Sequence, residues 1–78
     1  MKISYDREAD SAYIQLSDEQ PDGALEAMDG VNIDLTPENR MVGIEILEAS
    51  KKFPIETLYK YEMEQEVYEP DEEELEEA

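Results

Sequence analysis

The sequence predicts an α+β fold: an antiparallel sheet of four or five strands, built as a hairpin plus a meander, with a C-terminal helix on one face. Two observations carry the sheet. Apolar and polar residues alternate with period 2 over the first 50 residues, the pattern of a strand with one buried face. Two segments also fold back on themselves so that their alternating apolar residues share one side. A third observation carries the helix, because after Ser50 the apolar spacing changes from two to three and four.

The first hairpin pairs residues 2–5 with residues 11–16. Ile3 and Tyr5 share a face with Ile14 and Ala12 if Tyr5 pairs with Ala12, which leaves Arg7-Glu8-Ala9-Asp10 as a four-residue loop. Such loops are commonly built on a type I turn and need no glycine. Asp6 is placed to cap backbone N–H groups of that turn. The polar segment SDEQPDG, residues 17–23, then links the hairpin to the meander.

The meander comprises strands near residues 24–28, 31–36 and 41–48. Met28-Asp29-Gly30 reads as a three-residue loop in which Gly30 supplies a positive φ. Matching Leu35 to Val42, Ile33 to Ile44 and Val31 to Ile46 leaves Pro37-Glu38-Asn39-Arg40 as a second four-residue loop. Pro37 presets its first dihedral and Asn39 tolerates a left-handed one. A slip by one residue would bury Asn32 and Asp34, so the register is well specified.

Pro54 suits a first helical turn, and Ile55, Leu58, Tyr59, Met63 and Val67 fall on one helical face. That stripe is expected to lie on the sheet. Pro70 ends it, and DEEELEEA beyond carries one large apolar residue, Leu75. The domain is accordingly expected over residues 1–68, with 69–78 as an acidic, solvated tail.

Composition narrows the chemistry. The 78 residues contain neither Cys nor His, so disulfides, thiolate nucleophiles, the usual catalytic triads and most zinc sites are excluded. No cofactor is expected. The chain has 23 acids against 6 bases, a net charge of −17, and the ten acids after Tyr61 stand with no base among them. Direct nucleic-acid binding and attachment to an anionic membrane are disfavoured, because both depend on Lys and Arg. No segment approaches the ~20 apolar residues of a membrane span, and the N-terminus MKISYDREAD lacks a signal-like apolar run. The expected location is the cytoplasm.

The acids Asp6, Glu8 and Asp10 raise the question of a site. Counted from Asp6, an EF-hand loop requires Gly and Glu where this chain has Ser11 and Ser17. A tight turn also offers no cleft for paired catalytic carboxylates. The three acids are therefore read as a turn. Asn32, Asp34 and Glu45, outward on adjacent strands, are read as a solvated face, the other reading being a shallow cation or ligand site.

The segments YDREADSAYIQL, DGVNIDL and VGIEILEASKKF, in that order, resemble the small prokaryotic family of the domain of unknown function 2283. Its members typically begin MKI-x-YD-x-EAD-x-x-YI and close their sheet with VGIEIL-x-AS. The resemblance covers residues 1 to about 53. It implies a compact β-rich domain with no established enzymatic activity and no catalytic residues to carry over. Some relatives are suggested to be antitoxin-like partners of a small basic toxin that cleaves mRNA. The longer C-terminal segment here departs from the family pattern.

The expected function is thus a non-enzymatic, antitoxin-like module that neutralises a basic protein. The alternative is a small metal- or ligand-binding protein, or an enzyme, using outward-facing sheet carboxylates. Acidic mimicry of a nucleic acid is a variant of the first. Candidate partner contacts are Tyr61, Val67, Tyr68, Asp71, Glu72, Glu73, Glu74 and Leu75, since aromatic residues favour interface cores and acids favour a basic partner. Helix packing or a homodimer would also account for the two tyrosines.

Overall fold

The computed structural model describes residues 1–63. Among these residues five antiparallel strands form one sheet: β1 (Lys2–Asp6), β2 (Ser11–Gln15), β3 (Gly23–Met28), β4 (Val31–Leu35) and β5 (Met41–Ile46). The hairpin β1-β2 and the meander β3-β4-β5 meet along a β2–β5 seam, giving the order β1-β2-β5-β4-β3. No helix of the described residues is long and apolar enough to cross a membrane.

The predicted pairings Tyr5–Ala12 and Ile3–Ile14 are present, as are Ile33–Ile44 and Val31–Ile46. Ile14 pairs in turn with Ile44, and Leu25 pairs with Ile33. A continuous aliphatic row, Ile3-Ile14-Ile44-Ile33-Leu25, therefore crosses all five strands. Side chains alternate across a strand, so the neighbouring row Ser4-Tyr13-Glu45-Asn32-Glu26 stands on the opposite, polar face.

Two pairings differ from expectation. Leu35 pairs with Met41 instead of Val42. The Val42 carbonyl is drawn to the other side of the strand, where it accepts from both Leu16 N (2.7 Å) and Ser17 N (3.1 Å). The extra residue is a bulge. It leaves a tighter loop in which Thr36 O accepts from Asn39 N and Thr36 N donates to Arg40 O, both at 2.9 Å. Asn39 there takes the left-handed conformation, φ 64°. At the other turn Met28 pairs with Val31, so the loop is Asp29-Gly30, with Gly30 at φ 77° and Ala27 absorbed in a bulge on β3.

Among the described residues the expected C-terminal helix is not formed, and they are mostly β. Among the described residues only short 3₁₀ turns follow the sheet, at Ala49–Lys51 and Ile55–Tyr59, and Lys60 is extended at φ −113°, ψ 132°. Three residues per turn align Ile55 with Leu58, and both are half-buried while Tyr59 is exposed. Ile55, Thr57, Tyr59 and Tyr61 are β-branched or aromatic residues that lose side-chain freedom in a helix. The Thr57 hydroxyl instead bonds the Pro54 carbonyl, a local contact that competes with helix propagation. Val67, the last member of the expected stripe, lies outside the described residues.

The core is thin. Its buried apolar residues are Ala12, Val42 and Ala49, and no large side chain among the described residues is fully buried. Phe53, Ile55 and Leu58 are half-buried. At the far edge every residue of β3 is exposed, with Leu25 at 56% and Met28 at 59%.

Candidate functional site

The acids that opened the question of a site are built into the scaffold. Asp6 Oδ1 accepts from Glu8 N (3.0 Å) and Ala9 N (3.2 Å), as a turn-capping aspartate does. Asp10 takes the left-handed conformation, φ 53°, which Asp tolerates better than most residues. From there its carboxylate accepts from the Tyr5 hydroxyl (2.6 Å), Ser50 N (3.0 Å) and Ser50 Oγ (2.6 Å). Its carbonyl accepts from Ala49 N at 2.8 Å. The result is a clasp that ties the first turn to the chain beyond β5. Hydrogen bonds from Ser50 and then Tyr5 hold the Asp10 carboxyl below the usual carboxylate range. The same bond raises the Tyr5 hydroxyl pKa, since Asp10 prefers its partner protonated. Glu8 stays exposed on the turn.

The polar face carries a second constellation. Tyr13, on β2, lies across β5 and donates from its hydroxyl to Asp34 Oδ2 on β4 at 2.8 Å. The ring passes directly over Gly43, where an added Cβ would overlap the Tyr13 hydroxyl and ring carbons. A glycine in a central strand is thus required by the close approach of a side chain. The bond to Asp34 raises the Tyr13 hydroxyl pKa. Beside it, Asn32 Nδ2 donates to Glu45 Oε1 at 3.2 Å, on the paired positions that the register predicts. Asn32, Asp34 and Glu45 do lie together on one face, and Tyr13 and Asn32 engage the two carboxylates. Among the described residues, no group of three or more acids is arranged to hold a metal ion.

Concavity is slight. One open recess is lined by Met1, Lys2, Gln15, Leu16, Ser17 and Asp18, and another by Met1, Ile3 and Tyr61. Tyr61, a candidate partner contact, is 71% exposed. The other candidates, Val67, Tyr68, Asp71, Glu72, Glu73, Glu74 and Leu75, lie outside the described residues.

Sequence reasoning missed two arrangements. Period-2 alternation gives Tyr13 no role, although Gly43 stands diagonal to it across the β2–β5 pair, within reach of an aromatic ring. The sequence pattern places Asp10 only in the turn. Its partner Ser50 is forty residues away, a separation at which no local pattern operates.

These contacts also place the recurring motif residues physically. Tyr5, Asp6 and Asp10 of YDREAD and Ala49-Ser50 of EAS form the capped turn and its clasp. Comparison with curated proteins and with solved structures gave no match. The model of one family, described as Protein of unknown function (DUF2283), matches residues 2–50. That span contains the whole sheet and both halves of the clasp, and the chain belongs to the DUF2283 family.

Proposed function

We propose that the chain is a non-enzymatic binding module that neutralises a basic protein partner, in the manner of an antitoxin. The observation that carries this reading is the pairing of an open aliphatic sheet face with a strongly acidic surface. A single sheet whose outer strands expose Ile3, Leu25 and Met28 leaves apolar area that association would cover. The excess of 23 acids over 6 bases selects for a partner of opposite charge and speeds its capture.

A ligand-binding or enzymatic role for the outward carboxylates has less support. Asp34 and Glu45 already accept hydrogen bonds from within the sheet, and neither recess is enclosed by convergent polar groups. The test is affinity capture with the full chain in its native host, followed by identification of what is retained. A stoichiometric basic protein, dissociated by salt, is the expected result. Absence of any such protein, with metabolic enzymes or small ligands retained instead, would remove the support for this reading.

A further inference from the structure

The open part of the apolar face is not symmetric. On the β1 side Ile3 and Tyr61 line a common open recess. On the β3 side Leu25 and Met28 stand 56% and 59% exposed, next to the half-buried Ile33 and Val31 with which they pair. Charge is also segregated. Asp22, Glu26, Asp29, Asp34 and Glu38 fall within residues 20–39, which contain no Lys or Arg. Arg40, the next base along the chain, is held by Glu19 at 3.0 Å.

Asp22 directly precedes β3, Asp29 follows it in the turn, and Glu38 lies beyond β4. The apolar strip therefore has acids at both ends. At ~3.3 Å per residue the strip along β3 runs about 20 Å. About 13 residues of α-helix cover that distance at ~1.5 Å per residue.

We propose that the β3–β4 half of the apolar face is the docking surface for a basic amphipathic helix of the partner. Leu25, Met28, Ile33 and Val31 receive its apolar stripe, and Asp22, Asp29 and Glu38 receive Lys or Arg at its flanks. This rests on the binding-module reading and adds the place and chemistry of contact. A second copy of this chain is the weaker occupant, because it would bring a like charge of −17 against the same acids.

The test uses the full chain, methyl-labelled, and a synthetic 18-residue Leu/Lys peptide with Leu at helical i, i+3, i+4, i+7 spacing. A scrambled Leu/Lys peptide and a Leu/Glu peptide of the first pattern serve as controls. The patterned basic peptide is expected to become helical and to shift the methyl resonances of Leu25, Met28 and Ile33. It should bind at least tenfold more tightly than either control.

Leu25→Ser/Met28→Ser should weaken binding at least tenfold with an unchanged melting curve, both residues being exposed. Deleting Glu69 to Ala78 should leave the methyl shifts in place. Equal binding of the scrambled peptide, shifts confined to other residues, or binding as an added strand without helix would each overturn the proposal. So would a stable dimer of the free chain that buries Leu25 and Met28. If the native basic partner is captured equally well by the double variant, this docking surface is wrong while the binding-module reading stands.

Discussion

Gly43→Ala tests the tightest contact in the sheet. Its direction is set by two opposed effects. Alanine loses less backbone entropy than glycine in a strand interior, a gain of about 0.5–1 kcal/mol. Against this, the new methyl would occupy the space of the Tyr13 hydroxyl and ring edge. The ring must swing out, surrendering its bond to Asp34 and its packing across β5.

Overpacking of this kind costs about 1–3 kcal/mol, and the lost hydrogen bond to a carboxylate about 1.5–3 kcal/mol, with some of that recovered by water on this partly open face. The net expectation is a destabilisation of about 1–3 kcal/mol. Urea denaturation of wild type, Gly43→Ala, Tyr13→Ala and the double variant closes a thermodynamic cycle. With Tyr13 truncated, Gly43→Ala should become neutral or slightly stabilising, giving a coupling of at least about 1 kcal/mol. If Gly43→Ala is stabilising in the wild-type background, or the two changes simply add, Tyr13 does not cross Gly43.

Ile44→Ala, in the middle of the aliphatic row, should cost about 1–2.5 kcal/mol, half the value for full burial because Ile44 is half-buried. Glu45→Ala should cost less than about 1 kcal/mol through its bond to Asn32, and equal costs by urea denaturation would refute the assignment of faces. Asp10 has a lowered carboxyl pKa, so its contribution to stability is present above its unfolded pKa, about 4, and is lost as pH falls through the folded value. Ser50→Ala should shrink that acid-side loss in thermal melts recorded from neutral pH downward, and an unchanged pH profile would count against the clasp. Tyr5 and Tyr13 have raised values, so what they contribute should persist up to about pH 10 and decline only above it. Deleting Glu69 to Ala78 removes seven acids; the melting temperature should hold or rise at low salt, while association with a basic partner slows and loses salt dependence. A fall in stability would show that those residues belong to the fold.

The strands were legible because period-2 alternation is local and strong, and because one apolar face admits a single register for Ile3 with Ile14 and Ile33 with Ile44. The bulge at Val42 was not legible. It arises from a pull by Leu16 and Ser17, whose proximity depends on the β2–β5 seam. The expected helix failed for a related reason, since the spacing of Ile55 and Leu58 fits a 3₁₀ turn as well as an α-helix. Residue preferences at Thr57 and Tyr59 then decide between them. Of the candidate site, the outward placement of Asn32, Asp34 and Glu45 followed from register. The ring over Gly43 and the grip of Asp10 on Ser50 depend on three-dimensional approach that alternation does not encode.

The β2–β5 seam divides the sheet into two pieces with very different loop-closure demands. Each of β1-β2, β3-β4 and β4-β5 closes over a few residues, whereas joining Ile14 to Ile44 closes over thirty. Closing the longer loop costs more chain entropy before any contact repays it, and such non-local pairing slows folding. The two hairpin units are therefore expected to form early and to wait on their docking, with the Asp10–Ser50 clasp completed at the same stage. Stopped-flow kinetics would read this directly. Ile14→Val at the seam and Ile33→Val inside the meander should both act mainly on the folding rate, and an effect of Ile14→Val confined to the unfolding rate would place the nucleus in the meander alone.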